Sequence, residues 1–184
     1  MVEAAAALAD EVGFEGVTLA RLAGRLGVRT PSLYNHVDGL DGLRRELALL
    51  GTRELGFWIG RAAVGKAADE AVVAIAHAYR SFVKERPGLY AATVRSFRLF
   101  HPTDPELQAV EREVIGVVLD VLASYGLRGD DALHAVRGLR SVVHGFATLE
   151  SAGGFGIPLE VDESFERLLR IYVDGVRRRP TPKK

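Results

Sequence analysis

Residues 18–37, TLARLAGRLGVRTPSLYNHV, contain the beginnings of two short helices separated by only a few residues. Thr18 offers a hydroxyl that can cap the first helix. Thr30 can cap the second, with Pro31 at its first helical position, where the missing N–H costs nothing. Gly27 ends the first helix because glycine readily adopts the left-handed backbone conformation. Two short helices joined by a short turn that contains glycine are typical of a helix-turn-helix.

The apolar residues of this stretch predict that the second helix exposes a polar face. The first helix is anchored on a core by side chains spaced along one face: Leu19, Leu22, Ala23 and Leu26. The second helix has only Leu33 and Val37 to point inward. Six residues are left outward or at its edges: Arg29, Thr30, Ser32, Tyr34, Asn35 and His36. A helix that enters the major groove of DNA needs such a face. A short surface helix that merely faces water would show the same pattern, so the spacing leaves both alternatives open.

The remainder of the chain also has the apolar spacing of helices. The pattern predicts a helix over 3–12, a fourth helix capped by Asp38, and further helices over 69–85, from 86 to about 100, 104–125, 131–151 and 162–178. Thr103 and Glu106 have the spacing of a capping box. Strand-like alternation persists nowhere, so the sequence predicts an all-α protein.

Composition limits the class of protein. The chain has 184 residues, 48% of them hydrophobic, which suits one compact unit or two small ones. It contains no Cys, which excludes disulfides and thiolate metal sites and fits a reducing, cytoplasmic location. No apolar run reaches about 18 residues, so no membrane helix is expected. The first ten residues carry no Lys or Arg, which argues against a secretory signal.

Charge does not by itself indicate a nucleic-acid binder. The chain has 24 basic and 24 acidic residues, and residues 1–50 contain five Arg and seven acids. DNA affinity depends heavily on neutralising phosphates. A positive surface at the helix-turn-helix therefore requires that the acids lie on its opposite side.

Motifs of enzymes and metal proteins are missing from the sequence. A di-metal carboxylate bundle needs paired Glu-x-x-His elements, and the nearest match, Asp131 with His134, is single. The chain has no His-Glu-x-x-His, no phosphate-binding Walker loop and no Gly-x-Ser-x-Gly. We therefore predict no enzyme activity, no catalytic residue, no metal and no cofactor. The alternative is an all-helical ligand-binding, metal or enzyme bundle that does not bind DNA.

The stretch GVTLARLAGRLGVRTPSLYNHVDGLDGLRREL, residues 16–47, resembles the DNA-binding unit of the TetR (tetracycline-repressor) family of bacterial regulators. The resemblance covers residues 3–50. It implies three small helices and a connecting fourth, followed by a larger helical bundle for ligand binding and dimerisation. We place the helix-turn-helix domain at 1–45 and the effector-binding and dimerisation domain at 46–184.

The resemblance also implies which residues bind DNA. It assigns eight: Thr18, Arg21, Arg29, Thr30, Ser32, Tyr34, Asn35 and His36. The first two lie where the supporting helix of the family grips phosphate, and the next three lie where the recognition helix meets base edges. The last three match the end of that helix, where the aromatic residue and the histidine contact the backbone. The family commonly places a lysine at the start of the fourth helix, whereas this chain has Asp38, Gly39 and Asp41.

The stretch SVVHGFATLESAGGFGIPLEVDESFERLLRIYVDGV, residues 141–176, resembles the WHG-type C-terminal domain of some members of the same family. His144 and Gly145 match the Trp-His-Gly motif, and Val143 replaces the Trp. This second resemblance spans roughly residues 69–178 and says nothing firm about the ligand.

Two surfaces of the second domain follow from the residue pattern. The helices over 131–151 and 162–178 carry a row of small residues and a broad apolar stripe, which predict a four-helix interface in a homodimer. The alternative is that both pack inside one chain. The middle helices and His144 contribute candidates for an apolar effector pocket: Tyr79, Phe82, Tyr90, Phe97, Phe100 and His144. Ordinary core packing is the alternative for each.

Together these features predict a homodimeric transcriptional regulator that acts as a repressor. Its partners would be a double-stranded DNA operator, a second copy of the chain and a small apolar effector that releases the operator. No membrane partner is expected.

Overall fold

The computed structural model describes residues 1–99 and 103–178, apart from the side chains of 96–99. Within that part of the chain it contains nine α-helices, one short 3-10 helix and no strand. The helices are α1 (Val2–Val12), α2 (Leu19–Leu26), α3 (Thr30–Leu33), α4 (Gly39–Ala63), α5 (Ala68–Glu85), α6 (Pro87–Leu99), α7 (Pro105–Ala123), α8 (Gly129–Ser151) and α9 (Val161–Arg177). The 3-10 helix Phe14–Gly16 follows α1. The predicted all-α fold is confirmed.

The ends of α2 are fixed by the residues that the sequence indicated. The Thr18 hydroxyl accepts a hydrogen bond of 3.2 Å from the Arg21 amide, which satisfies one of the free N–H groups at the helix start. Gly27 follows the helix with φ 67° and ψ 26°, a conformation that a side chain would oppose. The predicted cap at Thr18 and the predicted stop at Gly27 are confirmed.

Two other predicted caps are wrong by one residue. The Ser32 amide bonds to the Arg29 carbonyl at 3.0 Å, so the turn closes early and Thr30 is already the first residue of α3. Arg29 precedes α3 without a side-chain capping bond. At α7 the cap is Asp104 rather than Thr103, because the Asp104 carboxylate accepts the amides of residues 106 and 107 at 3.1 Å each.

The first compact unit contains Met1–Gly56 and Glu85–Val114. Its core consists of small and branched apolar side chains that are almost fully buried: Ala5, Ala6, Leu22, Leu43, Leu47, Leu89 and Leu107. Helix α1 packs against both α2 and α6, and α2 packs against α3. The helix-turn-helix therefore shares one core with α6.

The second compact unit contains Phe57–Lys84 and the described residues from Ile115 onward. Its core is built around aromatic and branched side chains: Ile75, Phe82, Leu122, Leu139, Phe165 and Leu169. Among the described helices, none combines the length and apolar character needed to cross a bilayer. The division of roles at residue 45 stays a prediction, because compactness does not assign a function to either unit.

Asp104 links two helices of the first unit and carries a testable pH dependence. Besides capping α7, its buried carboxylate accepts hydrogen bonds from the Arg45 guanidinium of α4. The hydrogen bonds from Arg45 lower the pKa of Asp104 below its ordinary value. A lowered pKa in the folded state means that the ionised carboxylate stabilises the fold above pH ~4. This stabilisation is lost as the pH falls through the folded-state pKa.

We expect Asp104→Asn to lower the free energy of unfolding by about 1–3 kcal/mol at pH 7, because Asn keeps the cap and loses the charge-assisted bonds. The difference from the wild type should shrink toward pH 3 in urea titrations. Glu106→Gln is the control, since its half-exposed carboxylate also bonds to Arg45, at 2.8 Å, and should cost less. An Asp104→Asn difference that is the same at pH 3 and pH 7 would contradict this account.

Candidate DNA-binding interface

The supporting helix of the motif is held by its buried face and by a bond from Arg21. Leu19, Leu22 and Ala23 are buried against the first core. The Arg21 guanidinium donates a hydrogen bond of 2.9 Å to the Gly16 carbonyl, which closes the loop before the helix. Thr18 and Arg21 both remain exposed. They can therefore exchange these local bonds for bonds to phosphate.

The turn after α2 redirects the chain through Gly27 and Val28. The Val28 amide donates to the Ala23 carbonyl at 3.0 Å, and the Gly27 amide bonds to the same turn of the helix. Helix α3 then begins two residues later. Leu33 and Val37 are its buried anchors, with 2% and 7% of their surface exposed. The predicted inward pair is confirmed.

The residues around α3 form one exposed polar surface, as their order along a short helix dictates. Five of the predicted DNA-binding residues are exposed: Arg29, Ser32, Tyr34, Asn35 and His36. Thr30 is half-buried. Tyr34 keeps 60% of its surface exposed. We call these six residues the recognition surface.

Two arginines close in sequence to the recognition surface are engaged in ion pairs with glutamates. Arg25 pairs with Glu11 at 2.7 Å, and Arg44 pairs with Glu15 at 3.3 Å. Within the described part of the chain Arg29 forms no ion pair, so its full charge is available to a ligand. These pairs leave the net charge of residues 1–50 at minus two, and the recognition surface keeps Arg29 as a cation outside ion pairs.

The start of α4 departs from the family pattern in its charge. Asp38 precedes the helix and Asp41 lies in its first turn, where carboxylates stabilise the helix dipole. Gly39 has φ 66°, which a side chain would oppose. Residues 38–42, DGLDG, contain no Lys or Arg, so this helix start itself offers phosphate its main-chain N–H groups. Arg44, one turn later, lies 3.6 Å from Asp41.

Two apolar residues beside Arg29 were not among the predicted site residues. Val28, with 43% of its surface exposed, and Pro31 both flank the recognition surface. Apolar groups at such positions can contact the methyl group of thymine. Their positions beside Arg29, with Val28 in the turn and Pro31 in the first turn of α3, could have indicated them, whereas their apolar chemistry alone suggested packing.

Comparisons with known proteins agree with this geometry. The family model described as bacterial regulatory proteins, tetR family, matches residues 1–47, and a model described as tetracyclin repressor-like, C-terminal domain, matches residues 72–172. The HTH-type transcriptional regulator YobS of Bacillus subtilis is 36% identical over 177 residues, which are 96% of this chain and 90% of YobS.

The chain belongs to the tetR family. A second relative, the HTH-type transcriptional regulator Rv0681 of Mycobacterium tuberculosis, is 36% identical over 98% of this chain and 82% of its own length. A TetR variant from Acinetobacter baumannii, solved in complex with minocycline, has the same fold with a TM-score of 0.71. It is 22% identical and covers 96% of this chain and 94% of its own. The family consists of transcriptional regulators rather than enzymes.

The predicted effector-pocket residues of this TetR-family chain do not all lie in one unit. Tyr79, Phe82 and His144 belong to the second unit, and Tyr90 belongs to the first. The side chain of Phe97 and all of Phe100 lie outside the described residues. Phe82 and Tyr90 are buried in their cores. Burial lowers the pKa of half-buried His144, with a smaller contribution from the charge of Arg140. The pocket assignment stays a prediction.

An open cleft of about 450 Å³ lies between α8 and α9 of the second unit. Its lining includes Leu127, Ala135, Ile171, Tyr172 and Val176, and none of the predicted pocket residues. The Tyr172 hydroxyl donates to the Ala135 carbonyl at 2.7 Å, and burial raises its pKa to about 12. The described residues hold no cluster of three or more candidate metal ligands.

Proposed function

We propose that this chain is a homodimeric repressor that holds a DNA operator in the cytoplasm and leaves it when a small apolar effector binds. The observation that supports this most directly is the recognition surface. Its polar side chains are exposed, while Leu33 and Val37 anchor α3 on the core. A surface of this composition matches the hydrogen-bonding pattern of base edges and phosphates in a major groove.

Each predicted contact has a distinct role in the proposal. Arg29, Thr30 and Ser32 read base edges, with Arg29 suited to the two acceptors of guanine. Thr18 and Arg21 bind backbone phosphates of the DNA at the start of α2. At the far end of α3, Tyr34, Asn35 and His36 contact the backbone and set the orientation of the helix without reading sequence.

Dimerisation through α8 and α9 is supported by apolar side chains that these helices expose. Ile171 on α9 keeps 70% of its surface exposed, and Leu133 on α8 keeps 44%. The core side of α9 is already occupied, since Phe165, Leu169 and Val173 are buried within the chain. Covering the exposed residues with the same helices of a second copy would form a two-fold four-helix interface.

The effector is proposed to enter the helices of the second domain. The TetR variant solved with minocycline shows that a protein of this fold can hold a multi-ring ligand. In this chain Tyr79, Phe82 and His144, which all belong to the second unit, are the proposed lining. Effector and operator would each favour a different separation of the two recognition helices, which couples the sites.

Selection of preferred duplexes from a random DNA pool tests the proposed function. We expect the wild type to enrich an inverted repeat with half-sites about one helical turn, or a multiple of it, apart. The Arg29→Ala variant is the control that should lose base preference at defined positions. A pool that stays random after several rounds with folded wild-type protein would refute DNA recognition.

The salt dependence of operator binding should be shallow for a DNA-binding protein. Arg21 is the arginine that the proposal assigns to phosphate, and the described structure leaves it outside ion pairs, which gives two such cations in a dimer. At about 0.9 counterions per phosphate contact, log K should fall with log[salt] with a slope of about −2. Fluorescence anisotropy between about 50 and 200 mM salt measures it. A slope beyond about −7 would mean that the paired arginines also reach phosphate.

A further inference from the structure

Asp10, near the end of α1, caps a helix that is distant in sequence. Its Oδ1 accepts hydrogen bonds from the amides of Gly88 and Leu89, at 2.9 and 3.0 Å, in the first turn of α6. Its Oδ2 accepts from the Arg86 guanidinium at 2.7 Å. One carboxylate of the DNA-binding unit therefore satisfies the start of α6 and pairs with the cation beside it.

Gly88 brings the two backbones together at the same point. A Cβ atom at residue 88 would lie 1.9 Å from the Ala9 carbonyl oxygen and 2.1 Å from its carbon, which is far shorter than any non-bonded contact between these atoms. Both residues are buried. Glycine is therefore required at residue 88, because the backbones of α1 and α6 are in direct contact there.

Further ion pairs tie α6 and α4 to the same unit. Arg86 also donates to Glu54 of α4 at 2.7 Å. At the other end of α6, Arg95 pairs with Glu15 of the 3-10 helix, and Glu15 also accepts from Arg44 of α4. Ion pairs of Arg86 and Arg95 therefore connect α6 to other elements of the DNA-binding unit near its start and in its second half.

From this geometry we infer that Asp10 is a positioning residue for DNA recognition. It docks α6 on α1, and α1 packs on α2, which supports α3. Through that docking Asp10 sets the orientation in which the recognition surface is presented, although it contacts no DNA itself. A fixed orientation of α3 within its unit raises affinity, because less conformational freedom is then lost when the protein binds DNA. This inference rests on the proposed function, and it makes α6 a structural part of the DNA-binding unit.

Charge and positioning make opposite predictions for Asp10. Removing a negative charge from a DNA-binding unit should tighten binding to DNA if Asp10 acts only through its charge. Loss of docking should weaken it. Asp10→Ala removes the cap and the ion pair, Asp10→Asn keeps a capping oxygen, and Glu3→Gln makes the same charge change at an exposed site of α1.

We expect Asp10→Ala to bind the wild-type-selected duplex about tenfold more weakly, with Asp10→Asn intermediate and Glu3→Gln unchanged or tighter. The salt slope of Asp10→Ala should equal that of the wild type, since no phosphate contact is lost. Equal or tighter binding by Asp10→Ala would overturn the inference while leaving the proposed function intact. A wild type that selects no duplex would instead refute the proposed function.

Spin labels measure the docking directly, because the chain has no native Cys. Labels at Ala20→Cys on α2 and Ala91→Cys on α6, diluted with unlabelled chain, should give one narrow distance in the wild type and a broadened one in Asp10→Ala. An unchanged distribution would overturn the inference. If Asp10→Ala does not fold, Arg86→Met removes the same ion pair and carries the expectation of a broadened distance, which does not depend on the sign of the charge removed.

Discussion

Replacing Arg80 by methionine should lower the free energy of unfolding by about 3 kcal/mol, the largest stability effect expected of a single side chain here. Arg80 is 6% exposed and donates two hydrogen bonds of 2.7 Å to Glu150 at the end of α8. A third, also 2.7 Å, reaches Asp162 at the start of α9. Without Arg80, the largely buried Glu150 carboxylate keeps Lys84, at 2.9 Å, as its one cationic partner among the described residues.

Aromatic contacts add to the effect of Arg80. Its guanidinium carbon lies 4.8 Å from the ring centre of Phe165 and 5.4 Å from that of Phe146. Two rings therefore hold the cation in place and exclude water from its bonds to Glu150. The hydrogen bonds to Arg80 also lower the pKa of Glu150, so its ionised form is the stabilising one.

Urea unfolding distinguishes a buried pair from a surface one. Asp162→Asn is the matched control, because its side chain is 86% exposed and should cost below about 1 kcal/mol. The double variant Arg80→Met/Glu150→Leu should recover much of the loss, since it leaves no buried charge unpaired. An Arg80→Met protein with the wild-type urea midpoint would contradict the role of this cluster.

Arg29→Ala should cause the largest loss of operator affinity while leaving the fold and the dimer intact. Arg29 is exposed, forms no ion pair among the described residues, and precedes the first residue of α3. A bidentate contact of arginine to guanine contributes about 1–3 kcal/mol, and a dimer makes it twice. The loss should therefore exceed tenfold and should be specific to one base position in each half-site.

Arg25→Ala is the control for Arg29→Ala, because it removes an arginine of α2 that already pairs with Glu11. It should leave base preference unchanged. Tyr34→Ala should weaken binding to all sequences alike, as expected for a backbone contact. Anisotropy titrations against the selected duplex and a duplex altered at the guanine separate these cases. If Arg29→Ala binds both duplexes as the wild type does, the assignment of Arg29 is wrong.

The local features of the fold could be predicted from the sequence because they depend on neighbours along the chain. The cap at Thr18, the left-handed Gly27 and the inward pair Leu33 and Val37 each follow from a few adjacent residues. The resemblance to the family supplied the roles that spacing left open. The polar face of α3 alone fitted a solvated surface helix equally well.

Contacts between distant segments could not be predicted in this way. Asp10 and Gly88 are brought together only by the packing of α1 on α6, and neither residue has a distinctive sequence context. Arg80 lies within the apolar stripe of α5, and its partner Glu150 is 70 residues away. The cap of α7 at Asp104 was missed because Thr103 has the same capping chemistry one residue earlier. Tertiary packing decided the contacts of Asp10 and Arg80, whereas two residues with equivalent local chemistry competed for the cap of α7.

The most direct test of the central claim, that two copies of the recognition surface read DNA together, is a comparison of binding stoichiometry and affinity. The wild type is mixed with the full selected repeat or with one half-site flanked by random sequence, and sedimentation gives the number of chains on each duplex. We predict two chains on the full repeat and binding to the half-site that is weaker by at least about a hundredfold. One chain on the full repeat, or equal affinity for both duplexes, would contradict the account.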